Sequence, residues 1–170
     1  MISDAMAAAL NKQVNAEFWS AYLYLSMSNN FQTMGRRGAA NWFRIQFQEE
    51  QAHALALVDY IHAQNRRVSL QAINDVPQQW DTLQEAFAKT LEHEMAVTRL
   101  IHDLYALAEK EQDFATRQML NTFIAEQVEE EENVREIIDD LTLIGEDGSG
   151  IYQLDRQLAS RTYVAPQLFK

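Results

Sequence analysis

Apolar residues recur at alternating steps of three and four along four long stretches of the chain, the spacing that lines one face of a helix. The first stripe reads Leu10, Val14, Ala21, Tyr24 and Phe31, and the same steps place Glu17 and Ser28 on it. The second reads Phe43, Phe47, Leu57 and Tyr60 and includes Glu50 and His53. The third reads Phe87, Leu91, Val97, Ile101 and Leu104 around Glu94. The fourth reads Leu120, Phe123, Val134, Ile137 and Leu141 around Gln127 and Glu130. Each face that should be buried therefore carries a polar residue near its middle.

Breakers divide these stripes into elements. A first helix is expected from about Asp4, as N-cap, to about Met34, where "MGRRG" offers Gly35 and Gly38 as a turn, and a second from there to about Gln64. Asn65 to Trp80 has no helical period and contains Pro77, so it reads as a crossover long enough to run the length of a bundle. A third helix starts with Asp81 or Thr82 as cap, with Gln84 or Glu85 three residues on, and continues to about Glu111. The fourth follows a turn near Asp113 and ends near Gly145 in "IGEDGSG", after which "IYQLDRQLA" predicts a short fifth helix. The expectation is an all-α four-helix bundle with one long crossover: a single domain over residues 1–160 and a weakly structured tail over 161–170.

Composition agrees, with only 5 Gly and 2 Pro in 170 residues and 47% hydrophobic content. The net charge of −11 argues against a nucleic-acid partner and favours cations. With no cysteine, thiolate metal sites, iron–sulfur clusters and thiol nucleophiles are excluded, leaving oxygen and nitrogen ligands. No apolar run approaches a membrane span, and no basic leader precedes the first helix, so a soluble, cytoplasmic protein is expected.

The polar positions on the seams form a repeat. Glu17 and Glu50 stand 33 residues apart, as do Glu94 and Gln127, and a shift of 77 carries Glu17 to Glu94, Glu49 to Glu126, Glu50 to Gln127 and His53 to Glu130. Such a repeat points to a pseudo-twofold site in the core. Four buried carboxylates repel one another and lose their hydration, so they must either hold protons or gather around a cation. Glu50 and His53, one turn apart on the same face, suit iron or manganese, and iron in particular where positions stay open to oxygen. Di-iron carboxylate bundles use one Glu from each of two helices and Glu-x-x-His from the other two. The first half of the chain follows that rule, whereas the second offers Gln127-x-x-Glu130. One metal is then expected on Glu17, Glu50 and His53. A second, held without imidazole and more loosely, is expected on Glu94 and Glu130 with Glu50 as bridge.

With Glu17, Tyr24, the "EEQAH" of Glu49 to His53, Glu94 and the "EQVEEE" of Glu126 to Glu131, the chain resembles the bacterial non-haem ferritins over about residues 1–158. That resemblance implies a ferroxidase centre of Glu17, Glu50, His53, Glu94 and Glu130, with Tyr24 and Gln127 beside it. It also implies a third iron position on Glu49, Glu126, Glu129 and Glu130. The implied fold is a ferritin-like four-helix bundle with a short fifth C-terminal helix. The implied assembly is a hollow shell of 24 subunits, and the implied activity is oxidation of Fe(II) by oxygen or peroxide followed by storage of ferric mineral.

Haem is not expected, because Gln51 stands where related bacterioferritins carry a haem-ligating Met. Rubrerythrins need cysteines, and mini-ferritins of twelve subunits place their ligands between subunits. A ferritin-like di-iron or manganese oxidase acting on another substrate remains the alternative. Glu131 and Glu132 read as a solvated run, His62, His93 and His102 as surface residues, and Trp42 and Trp80 as packing anchors. The acidic lining of the animal threefold channel aligns here with Arg117 and Leu120, which puts that iron route in doubt.

Overall fold

The computed structural model describes residues 1–168; Phe169 and Lys170, the last two residues of the expected tail, lie outside the described residues. Its elements are α1 (Asp4–Thr33), α2 (Arg37–Ala63), α3 (Leu83–Lys110), α4 (Phe114–Ile144) and α5 (Gly148–Leu158), with no strand among the described residues. α1 packs along α2 and α3 along α4, and the irregular 66–80 segment joins the two pairs.

The stripes face inward as their period requires. All seam positions are buried except Phe47 and Leu91, which are half-buried at its margin. The polar positions split the apolar core in two. One cluster holds Tyr24, Phe31, Phe43, Trp42, Trp80 and Phe87, with the Phe43 and Phe87 rings stacked at 5.1 Å. The other holds Leu10, Val14, Leu57, Ile101, Leu120 and Phe123. Glu17, Glu50, His53, Glu94, Gln127 and Glu130, all buried, form the layer between them.

The caps correct several sequence expectations. α1 is capped by Ser3, not Asp4, with the Ser3 hydroxyl accepting from the Met6 amide at 2.9 Å. Thr82 caps α3 and accepts from the Glu85 amide at 3.0 Å, while the Glu85 carboxylate accepts from the Asp81 amide. The Gly148–Gly150 stretch, expected as a breaker, opens α5: Asp147 accepts from the Gly150 amide at 2.7 Å and caps it.

Of the two glycines expected to form one turn, only Gly35 does so, at φ 75°, the left-handed conformation that closes α1. Gly38 lies inside α2 and serves a close approach instead. A Cβ there would sit 1.5 Å from the Asp155 carbonyl oxygen of α5. Because α2 has no side-chain cap of its own, the Asp155 carboxylate supplies one, accepting from the Gly38 and Ala39 amides at 3.0 and 2.9 Å. The missing side chain at Gly38 is what lets α5 dock.

The crossover lacks a ladder of its own, so its backbone groups need partners. α1 provides them from one stripe of side chains. Asn11 donates to the Arg67 carbonyl, Asn15 to those of Gln71 and Ala72, Trp19 to Asp75, Ser26 to Pro77 and Asn30 to Trp80. The segment after Ser160 has no helix or strand through residue 168, in line with expectation, yet Leu168 is buried in the apolar cluster beyond the polar layer.

Candidate metal centre

Each long helix delivers carboxylate or imidazole to the polar layer because its seam passes there once. Glu17 comes from α1, Glu50 and His53 from α2, Glu94 from α3, and Gln127 and Glu130 from α4. One ligand atom from each of Glu17, Glu50 and His53 lies within 4.8 Å of the other two. The imidazole Nδ1 is 3.5 Å from a Glu50 oxygen. Glu17 Oε2, Glu50 Oε2 and His53 Nε2 are all buried with no hydrogen-bond partner.

Leaving a buried polar atom unmade costs about 1–3 kcal/mol each. Three such atoms in one convergent group are hard to account for as ordinary core, and an oxygen-and-nitrogen donor set of this kind fits a divalent transition ion. Burial likewise pushes the Glu17 carboxyl up to about 8, with the neighbouring Glu50 adding to the rise. Burial and then Glu94 hold Glu50 well above the usual carboxylate range.

The second half is arranged differently. Glu94 accepts a short hydrogen bond from the Tyr24 hydroxyl and another from the Gln127 amide at 3.2 Å, and burial followed by Glu130 raises its pKa to about 8. Glu130 accepts from the Gln46 amide at 2.9 Å. These two carboxylates are thus already occupied by neutral donors, whereas Glu17, Glu50 and His53 keep free atoms pointed at one another. Tyr24, fully buried, has its own ionisation pushed well up by burial and Glu94. The residues of the expected third position lie farther out: Glu49 and Glu126 are half-buried and Glu129 is exposed. Burial lifts Glu49 to about 7 against the lowering effect of Arg161, and burial also raises Glu126.

Two site residues escaped the sequence reading. Gln13 and Gln46 are buried, and the Gln13 amide donates to Glu17 Oε1 at 2.8 Å. Each stands four residues, one helical turn, before a seam glutamate of the first half, Gln13 before Glu17 and Gln46 before Glu50, whereas the shift of 77 carries them to Thr90 and Phe123, so the second half has no counterpart.

Two surface assignments also change. His93 is half-buried, with its ring against Trp19 and Tyr24 and its Nε2 2.8 Å from the Ser20 hydroxyl; burial lowers its pKa to about 4. Glu131 accepts from Thr98 at 2.7 Å and pairs with Arg135, and Thr98 in turn accepts from Gln127, so Glu131 ends a chain of hydrogen bonds that begins at Glu94. Glu132, His62 and His102 are exposed as expected. Leu120 is fully buried and cannot line a channel, and Arg117 lies over the Tyr105 and Phe114 rings.

A polar layer of carboxylates and imidazole inside two helical pairs defines the ferritin-like class. The family profile described as a ferritin-like domain matches residues 7–144. The chain is 41% identical over 161 residues to the bacterial non-heme ferritin of Bacteroides fragilis (strain 638R), covering 95% of this chain and all of that protein. It is 34% identical over 163 residues to that of Staphylococcus epidermidis, covering 96% of this chain and 98% of the relative. Among solved structures, an open-pore ferritin from the hyperthermophilic archaeon Archaeoglobus fulgidus superposes with a TM-score of 0.94 at 45% identity, over 95% of this chain and all of that one. A closed form of that ferritin, engineered by site-directed mutagenesis, gives 0.95 at 44% identity, over 96% of this chain and all of that one. The chain belongs to the ferritin family, and the curated relatives it matches at this length are non-haem ferritins.

Proposed function

We propose that the polar layer is a ferroxidase centre that oxidises Fe(II), and that the product is stored as ferric mineral inside a shell of 24 subunits. The observation that carries this is the buried group of Glu17, Glu50 and His53, whose ligand atoms lie within 4.8 Å of one another and each of which keeps a buried atom without a hydrogen-bond partner. One Fe(II) binds that triple. A second binds Glu94 and Glu130, sharing Glu50, after Gln46 and Gln127 give up their hydrogen bonds to the incoming cation. The second ion binds less tightly because its carboxylates must first exchange those partners and no imidazole reaches them.

With oxygen as oxidant each iron gives one electron, and dioxygen with two protons becomes hydrogen peroxide; with peroxide as oxidant the same two electrons yield water. The side chains fix the two ions near each other and supply anionic charge that favours the ferric state. Tyr24 and Gln127 orient Glu94. Glu49, Glu126, Glu129 and Glu130 form a third, outer position. Residues 1–160 act as one domain, residues 161–170 form a tail, and the shell works in the cytoplasm without haem. No helix among the described residues is long and apolar enough to cross a membrane.

Iron-dependent oxygen uptake measured alongside native mass tests this reading. The expected result is a 24-subunit species that consumes about one oxygen for two Fe(II) in its first turnover, the ratio set by one electron per iron. A stable dimer with no larger species, active on an organic substrate but not on Fe(II), would instead support an oxidase using the same ligands.

A further inference from the structure

Arg161, the first residue after the turn that ends α5, reaches back across α2. Its guanidinium lies 4.7 Å from the centre of the Trp42 ring and donates from Nη2 to Glu49 Oε2 at 2.8 Å. Its main chain is fixed as well: the Asn41 amide donates to the Arg161 carbonyl at 3.0 Å and to the Leu158 carbonyl at 3.2 Å. α5 itself is seated by Asp155 on the α2 N-terminus. The guanidinium is thus carried to Glu49 by a docked element and does not drift there as a loose surface side chain. Both partners are largely covered, at 23% and 16% exposure, so this pair is screened less than an open surface bridge.

The seat is incomplete. Arg161 meets one carboxylate oxygen through one nitrogen, where the guanidinium can offer two parallel bonds, and its Nη1 is buried without a partner. An ion with several open coordination positions could take Glu49 together with neighbouring carboxylates, which a single-point guanidinium contact does not match. The segment beyond Arg161 passes from the apolar cluster holding Leu158 to the one holding Leu168, and so crosses the level of the polar layer.

We propose that Arg161 is a built-in counter-cation for Glu49, whose guanidinium a metal ion must displace to occupy the outer carboxylate position. This rests on the outer position of the proposed function. Arg161 is a specificity-determining residue here: it holds the outer position weak relative to the Glu17, Glu50 and His53 triple, none of which it contacts.

Zinc(II), which has no redox chemistry, is the probe, titrated calorimetrically into the assembled metal-free shell. Wild type is expected to bind an outer ion weakly after the inner ones, and Arg161→Gln to bind that outer ion about 10-fold to 100-fold more tightly, with the affinity of the Glu17, Glu50 and His53 position unchanged. Arg161→Lys should fall between, because an ammonium keeps the charge but loses the stacking on Trp42. Glu49→Gln should remove the outer event in both backgrounds.

Equal outer affinity in wild type and Arg161→Gln overturns the proposal. Inner ions without any outer ion in Arg161→Gln overturns it too, while sparing the ferroxidase centre. Absence of every bound ion would remove the proposed function along with it.

Discussion

Glu50→Met is expected to lower Fe(II)-dependent oxygen uptake by more than about 100-fold while raising the stability of the metal-free protein by about 1–3 kcal/mol. The two effects have one cause. Glu50 is fully buried, its Oε2 has no hydrogen-bond partner, and burial disfavours its charge. A side chain of similar volume and no polar atom fills the same space without that penalty. What it removes is the carboxylate proposed to bridge the two metal positions. Thermal melting and oxygen-electrode traces on the same preparation check the pair of outcomes. A purely structural bundle predicts the stabilisation alone, with iron-dependent uptake unchanged; loss of stability with activity retained would also contradict the assignment.

A second large effect is in protons. The carboxyls of Glu17 and Glu94 are raised to about 8 by burial, each with a neighbouring carboxylate adding to the rise, against an unfolded value of 4.5. At pH 7 both are mostly protonated in the metal-free protein, and metal ligation requires the ionised form. Binding of two ions should therefore release at least about 2 protons per subunit at pH 7, with any proton held by Glu50 adding to that number, and fewer as the pH approaches 9. Zinc titrations in buffers of different ionisation enthalpy measure that number directly.

The same shifts set a stability trend with a definite sign. Between pH 4.5 and about 8 the folded state binds more protons at these groups than the unfolded chain does. The stability they contribute is therefore present at low pH and lost as the pH rises through that window. The melting temperature of the metal-free protein should fall from pH 5 to pH 8.5, and Glu17→Gln should flatten the fall. Release of no protons on metal binding, together with a flat profile in wild type, would show that these carboxylates are charged without metal.

Much of the fold was legible because helical period and burial are the same information. A stripe with steps of three and four specifies its own buried face, so the four long helices and the polar layer followed from the positions of Leu10 to Phe31, Phe43 to Tyr60 and their counterparts. The layer's chemical character was legible for a related reason: a glutamate on such a stripe needs a cause, and four in register need a common one.

What stayed hidden were contacts between residues far apart in sequence. Nothing in "RRGAA" shows that Gly38 is bare because Asp155 of α5 approaches it, or that Asp155 caps α2. Gln46 looks like an ordinary helix-former until it is found donating to Glu130, 84 residues later. His93 carries no ligand-like spacing, yet folding places it between Trp19 and Tyr24. The repeat pointed to a pseudo-twofold site whose second half lacks imidazole, and the hydrogen bonds distinguish the two sides further. On the Glu17 side free atoms converge, while on the Glu94 side Tyr24, Gln127 and Gln46 already occupy the carboxylates. A sequence repeat records where residues lie, and the partners they find depend on the neighbouring helix.

The central claim is that this layer exists to bind a pair of iron ions. Anomalous diffraction from crystals soaked anaerobically in Fe(II) tests it most directly. Two peaks are expected inside each subunit, the stronger among Glu17, Glu50 and His53 and the weaker towards Glu94 and Glu130. No peak in the polar layer at saturating iron would contradict the account.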